Sequence, residues 1–293
     1  MTVHRMPAAE VEVSVELVRQ LLADQHSDLA GLALGVLANG WDNLVCTVGE
    51  DFLARLPRRA QAAELVAHEQ RWLPVLAPGL PLPIPAPVRV GQPACDFPWN
   101  WSVVPFLPGQ VAALAAPDDL ASAAVAIGEF LAALHVPAPL DAPVNPFRGG
   151  SLAARGDRVA EHLGLIGSGG DAGAARVVWE SAIEAAAWAG PPTWVHGDLH
   201  PANILVDAGR ISAVIDFGDI TSGDPATDLS VAWMLFPAEE RDVFRQAYGK
   251  ADDHTWARAR GWGLSLALVF LTFSADNPMM AGIGQRAFRA VLG

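Results

Sequence analysis

Lysine is almost absent from this chain of 293 residues, where Lys250 stands alone among arginines. Cysteine is nearly as scarce, with only Cys46 and Cys95. Two cysteines this far apart fit neither a disulfide framework nor the spacing of structural zinc ligands. Basic charge is short too: 19 Lys and Arg face 32 Asp and Glu, a formal net charge of −13. A nucleic-acid partner is therefore not expected, since such proteins carry a basic face. Long apolar runs are missing. The longest uncharged stretch free of proline, Gly261 to Ala275, is shorter than the ~20 residues needed to cross a bilayer. It predicts a buried helix and no membrane partner. Met1 to Glu10 has neither the basic flank nor the apolar stretch of a signal peptide, so the cytosol is the expected location.

What the chain does have is apolar content, 52% of residues, enough for a sizeable core. At ~150 residues per domain, the length predicts two lobes or one large domain. Val11 to Ala23 carries apolar residues at helical spacing, with Ser14 as its cap. Leu32 to Leu37, Leu44 to Val48 and Phe52 to Leu56 then read as strands of an antiparallel meander, split by turn clusters at 39–43 and 49–51. Ala60 to Leu73 predicts a helix that Pro74 stops, and the proline-rich stretch 78–87 an extended crossing. Trp101 to Leu107 is a further strand. Residues 1–107 thus form a small lobe with an antiparallel sheet, and residues 108–293 a larger, mainly helical one. The second lobe opens with a helix over 118–135 capped by Asp118. Further helices over 159–189 are interrupted by the Gly-rich stretch 167–173, and helices resume from Asp228. Between them, Trp194 to Gly218 breaks the helical pattern as a loop followed by a hairpin.

That break holds the chemistry. Its loop reads His196-Gly197-Asp198-Leu199-His200-Pro201-Ala202-Asn203, and the hairpin ends in Ile215-Asp216-Phe217-Gly218. Pairing Ile204–Val206 with Ala213–Ile215 brings Asp216 back beside Asp198 and Asn203. Two carboxylates and an amide oxygen suit Mg²⁺, a hard cation shared with substrate phosphates. A carboxylate left off the metal can take the proton of an attacking hydroxyl. This is the pattern of a kinase catalytic loop, His-x-Asp-x-x-x-x-Asn followed by Asp-Phe-Gly.

These segments, with Gly223-Asp224-Pro225-Ala226-Thr227-Asp228-Leu229 after them, resemble the aminoglycoside phosphotransferase family of small-molecule kinases. Glycine in place of arginine after the histidine separates that family from protein kinases. The resemblance implies a bilobal protein-kinase-like α+β fold, ATP or GTP as donor, and Mg²⁺. It makes Asp198 the catalytic base and Asn203 and Asp216 the metal ligands. On the first lobe, the turn holding Gly40 and Asn43 takes the place of the phosphate loop, or is a plain hairpin turn. The family's strand lysine is replaced by Arg55, with Glu69 as its expected partner and Glu64 as second choice. Arginine keeps its charge and binds phosphate as a fork. The segment with Val103, Val104 and Phe106 fits the link that meets adenine.

The supporting residues have simpler readings. His196 orients the loop through backbone hydrogen bonds, His200 lies near the phosphates or braces the loop, and Asp228 begins a helix and holds the loop. Asp219 and Asp224 read as turn caps. The tryptophans at 179, 188, 233, 256 and 262 read as core. Family and acidic balance together favour a cationic acceptor, an aminoglycoside first, with a macrolide, another antibiotic or a metabolic alcohol as the alternative. Glu239, Glu240, Asp252 and Asp253 are available carboxylates, although the chain ends without the acidic aromatic tail of some aminoglycoside kinases. Two rival classes remain: a kinase-fold binding protein without chemistry, and a metal hydrolase built on His196, Asp198 and His200.

Overall fold

Ser14 opens the first helix, its hydroxyl accepting the N–H of Leu17 at 3.1 Å. The structure is a computed structural model describing residues 8–166 and 170–293. Two units emerge: one contains the described residues through Pro78 with Pro83–Leu107, the other Gly79–Leu82 with Pro108–Gly293.

In the first unit, helix α1 (Val15–Gln25) is followed by strands β1 (Leu34–Asn39), β2 (Asn43–Val48) and β3 (Phe52–Pro57), then helix α2 (Ala60–Leu76) and strands β4 (Arg89–Gly91) and β5 (Trp101–Pro105). All neighbours pair antiparallel in the order β1-β2-β3-β5-β4, so the expected meander is extended by two later strands. Leu44, Cys46 and Val48 alternate inward along β2. They join Val18, Leu21 and Leu22 of α1 with Ala54, Leu56 and Trp101 in one buried cluster. Central β3 is covered on both faces, which is why its last four residues are all buried. Pro74 does not stop α2, which runs on to Leu76. Proline removes only its own N–H bond to the carbonyl four residues back, and so near the helix end little is lost.

The second unit is mainly helical. Helix α3 (Leu120–Leu134) is capped by Asp119, whose carboxylate accepts the N–H groups of Ala121 and Ser122. The cap is thus one residue later than Asp118. Helices α4 (Gly156–Ile166) and α5 (Gly170–Glu184) follow; of the Gly-rich stretch between them, residues 167–169 lie outside the described residues. Next come β7 (Thr193–Val195), the hairpin β8 (Ile204–Asp207) and β9 (Arg210–Val214), β10 (Thr221–Gly223), and helices α6 (Ala226–Leu229), α7 (Ala232–Leu235), α8 (Ala238–Tyr248), α9 (Asp253–Phe273) and α10 (Pro278–Leu292). The short strand β6 (Gln110–Val111) pairs with β8, and β10 pairs with β7. Helix α9 holds the uncharged run noted above, and most of it is buried. No helix among the described residues is long and apolar enough to cross a membrane. Close approach of α3 and α8 depends on Gly128, where a Cβ would sit 2.7 Å from the methyl of Ala247. Trp179, Trp256 and Trp262 are buried in this unit; Trp188 and Trp233 are half-buried.

Candidate active site

The loop from His196 to Asn203 leaves β7 and enters β8. Gly197 adopts φ +90°, and a Cβ there would lie 2.3 Å from the carbonyl oxygen of Asp219. Only glycine fits this turn, which gives the physical reason for the residue between His196 and Asp198.

Asp228 holds the loop from α6. Its fully buried carboxylate accepts the N–H of His196 at 2.7 Å and of Gly197 at 2.9 Å, and faces His135 Nε2 at 3.1 Å. A buried carboxylate is tolerable only with its lone pairs engaged, and here three donors engage them. Burial, then Asp228 and Asp224, push the Tyr248 phenol well above its ordinary range. The un-ionised hydroxyl donates to His135 Nδ1 at 3.0 Å, which leaves Nε2–H to donate to Asp228. Nearby Asp224 accepts the N–H of Ala226 and is clamped by Arg258 at 2.7 and 3.2 Å; it is a structural carboxylate.

The two loop histidines are fully engaged. His196 Nδ1 accepts the Asp198 N–H at 3.3 Å and Nε2–H donates to Ile215 O at 3.0 Å. His200 Nδ1 accepts the Ala202 N–H at 3.3 Å, and its Nε2 faces Asp198 Oδ2 at 3.4 Å. Neither ring has a nitrogen left for a metal. No group of three or more His, Cys, Asp or Glu among the described residues could hold one. With both rings engaged in this way, the geometry gives the metal-hydrolase alternative no support.

Asp198 itself is half-buried. Arg148 Nη2 donates to its Oδ1 at 2.9 Å. Burial opposes ionisation, but Arg148 and His200 outweigh it and hold the carboxyl well below the usual carboxylate range. Arg148 gains in turn: burial would release its proton, yet Asp198, Asp219 and Asp228 keep it more firmly charged than usual. Asp219, accepting from Asn145 Nδ2 at 2.6 Å, is pushed up by burial and by Asp198. Sequence reasoning passed over Arg148 and Asn145. Their only signal was a lone arginine in the turn-rich run Asn145-Pro146-Phe147-Arg148-Gly149-Gly150.

Asn203 Nδ2 donates to the carbonyl of Asp198 at 2.9 Å, so its amide oxygen is the group that could ligate a cation. The N–H of Ile215 donates to the carbonyl of Asn203 at 2.9 Å. Asp216 therefore follows directly on the residue bonded to Asn203. It is exposed, with φ +63° in the left-handed region that Asp tolerates better than most residues. An amide oxygen and a carboxylate in adjoining chain segments form a hard oxygen donor set that suits Mg²⁺.

In the other unit, Arg55 on β3 and Glu69 on α2 form an ion pair at 2.8 Å, with both residues buried. Glu64 is exposed. Gly40 N–H donates to Asn43 O at 2.9 Å to close the turn between β1 and β2. Arg58 Nη1 donates to Gly40 O at 2.9 Å, and Arg59 pairs with Asp42 at 2.5 Å. Both arginines lie past the end of β3 and brace this turn. Val103 and Val104 are buried in β5, and Phe106 is 41% exposed. The carbonyl of Val103 accepts from Val88 and the N–H of Phe106 donates to Asp51; those two groups are engaged within the unit. Glu239 and Glu240 lie in the first turn of α8, Asp252 caps α9 and Asp253 meets Arg245 at the surface.

A family model described as the phosphotransferase enzyme family matches residues 34–262. The chain belongs to this family. It is a phosphotransferase, with the α+β fold of its relatives: a small antiparallel sheet in one unit and a mainly helical second unit. The GDP and kanamycin complex of APH(2")-IIIa is similar over 94% of this chain and 97% of that chain, with a TM-score of 0.69 and 18% identity. Macrolide 2'-phosphotransferase MphH from Brachybacterium faecium is similar over 94% and 97%, with a TM-score of 0.61 and 25% identity. An uncharacterized protein of Bacillus subtilis (strain 168), YcbJ, is 33% identical over 72 residues, which are 24% of this chain and 24% of that protein. The match thus spans about a quarter of that relative's length.

Proposed function

We propose that this phosphotransferase moves the γ-phosphoryl group of ATP or GTP to a hydroxyl of a small molecule, with Asp198 as the base. One observation carries the reading: Asp198 is an ionised, half-buried carboxylate on a loop fixed at both ends, by Asp228 at His196 and Gly197 and by Asn203 at its own carbonyl. The acceptor hydroxyl gives its proton to Asp198 as its oxygen bonds to the γ-phosphorus. The bond from that phosphorus to the β–γ bridging oxygen breaks, and the products are a phosphate ester and a nucleoside diphosphate. His200 keeps the carboxylate turned toward the loop. Asn203 and Asp216 would hold Mg²⁺, which when bound screens phosphate charge. Arg55, steadied by Glu69, and the turn with Gly40 and Asn43 serve the donor phosphates, and the segment 103–106 serves its base.

Acceptors of the kinds named for the similar structures, kanamycin, streptomycin, gentamicin and macrolides, come first in the test. Release of nucleoside diphosphate is measured with ATP or GTP, Mg²⁺ and each acceptor. Asp198→Asn should lower kcat by at least ~10³-fold while nucleotide affinity stays within about threefold. Turnover retained in that variant would remove Asp198 from the role.

A further inference from the structure

Arg148 belongs to a loop whose neighbouring residues line a separate cavity. A space of about 160 Å³ lies among Pro146, Phe147, Ser151, Arg155, Arg158 and Trp262. Its wall carries two guanidinium groups and no carboxylate. Arg155, the residue before α4, is 6% exposed, and Trp262 of α9 is 1% exposed. Neither Arg155 nor Arg158 has an ion-pair partner among the described residues. The Arg155 guanidinium lies 5.7 Å from the Trp262 ring, and that of Arg158 lies 5.0 Å from the Phe147 ring. The Nε of Arg155 and the Nε1 of Trp262 are buried donors with no acceptor.

A buried cation without a counter-charge and buried N–H groups without acceptors both cost stability. Burial, joined by Arg148 and Arg158, pulls the Arg155 guanidinium down to about 10, so it stays charged at neutral pH. An oxyanion in the cavity would supply the missing counter-charge, and a guanidinium binds a carboxylate as a fork. A polycation would meet Arg155 and Arg158 with nothing of opposite sign in the wall. We propose that this cavity binds a carboxylate carried by the acceptor, which makes the acceptor a hydroxy acid of low molecular weight. The inference rests on the phosphotransferase reading, because it is Asp198 that would take the hydroxyl's proton. Phe147 in the cavity wall and Arg148 on Asp198 are consecutive residues, their Cα atoms ~3.8 Å apart. One short loop therefore joins the anion cavity to the base.

The test needs neither nucleotide nor turnover. Thermal unfolding of the whole protein is followed as acetate, malonate or inorganic phosphate replaces chloride at constant ionic strength, with kanamycin as a fourth probe. Acetate and malonate should raise Tm in a saturable way. Arg155→Gln should raise the half-saturating concentration at least ~10-fold, and Arg158→Gln, at an exposed position, should weaken the response with Tm in chloride unchanged. Equal responses in wild type and both variants would overturn the site. Protection by phosphate alone would assign the cavity to a phosphoryl group and overturn the carboxylate. Protection by kanamycin alone would overturn the sign of the ligand. Nucleotide binding measured on the same variants keeps the two readings apart: carboxylate protection lost in Arg155→Gln with nucleotide binding intact supports the cavity, whatever the Asp198→Asn assay returns.

Discussion

Arg148 gives Asp198 a property that its burial alone would deny it. Desolvation favours a neutral carboxyl, and the guanidinium at 2.9 Å, with His200 behind it, reverses that preference. Arg148→Met should remove the larger of these opposing charges and let burial raise the carboxyl. Sign follows directly: a base must be ionised to accept a proton, so the acid limb of the kcat–pH profile should move to higher pH in the variant. An acid limb that stays in place would detach Arg148 from the base. Glycine at 197 is a second single-residue requirement, and its reason is steric. With φ +90° and a Cβ only 2.3 Å from Asp219 O, Gly197→Ala must displace the loop or the strand beyond it. Unfolding by urea should show a loss of about 2–4 kcal/mol, with kcat falling because Asp198 moves with the loop. The sequence displayed Asp198, Asn203 and Asp216 through their spacing. It could not display Arg148, since 50 residues separate it from Asp198 and no local pattern records a partner brought by tertiary contact.

At the scale of elements, the strands and helices that carry the site follow local chemistry closely. Alternation along β2 and the turn at 49–51 between β2 and β3 are readable from the chain, and so is the hairpin of β8 and β9, where Ala208 and Gly209 both adopt positive φ. Register then does what spacing alone suggests, placing Arg55 opposite Val45 and Ser102 and its side chain against Glu69 of α2. Two boundaries were not readable. Asp118 and Asp119 are equivalent by composition, and it is Asp119 whose extended backbone aims its carboxylate at the first turn of α3. Pro74 looked like a terminator because its ring forbids a hydrogen bond, yet in the last turn of α2 few bonds remain to lose. Its side chain is exposed, so replacing it removes no core contact. Pro74→Ala should restore the bond to the carbonyl of Gln70 and stabilise the first unit by about 1 kcal/mol, the helix gain offset partly by a more flexible unfolded chain. Chemical denaturation with the first unit's tryptophans as reporters would check it; a destabilised variant would mean that the proline ring fits this turn better than a regular one.

For the whole molecule, net charge and local charge tell different stories. A formal charge of −13 favours cations at long range, while the cavity beside Arg148 is lined by arginines alone among charged residues. Composition reads the first quantity and is blind to the second, because only folding gathers Arg155, Arg158 and Trp262 around one space. Histidine burial sets another global property. His26, His68 and His162 lie in three different helices or helix ends, and burial is the leading cause that lowers each from 6.5. At His26 and His162, neighbouring arginines add to it against a nearby carboxylate; at His68, Glu64 opposes it ahead of Arg71. The unfolded chain then holds more protons than the folded one between the lowered values and ~6.5. By linkage, stability is fully present above the unfolded value and falls as pH drops through the window below it. Urea midpoints taken at about pH 7.5, 6.5 and 5.5 and constant ionic strength should therefore decrease in that order. Asp198 contributes little to this slope, since it is held down far below the window. His68→Gln and His26→Gln together should flatten it, because two of the three groups no longer titrate. A slope unchanged in that double variant would place the acid sensitivity elsewhere, and the raised carboxyl of Asp219 is excluded as its source. Its proton is bound more tightly in the folded state than in the unfolded one, so it makes folding more favourable as pH falls.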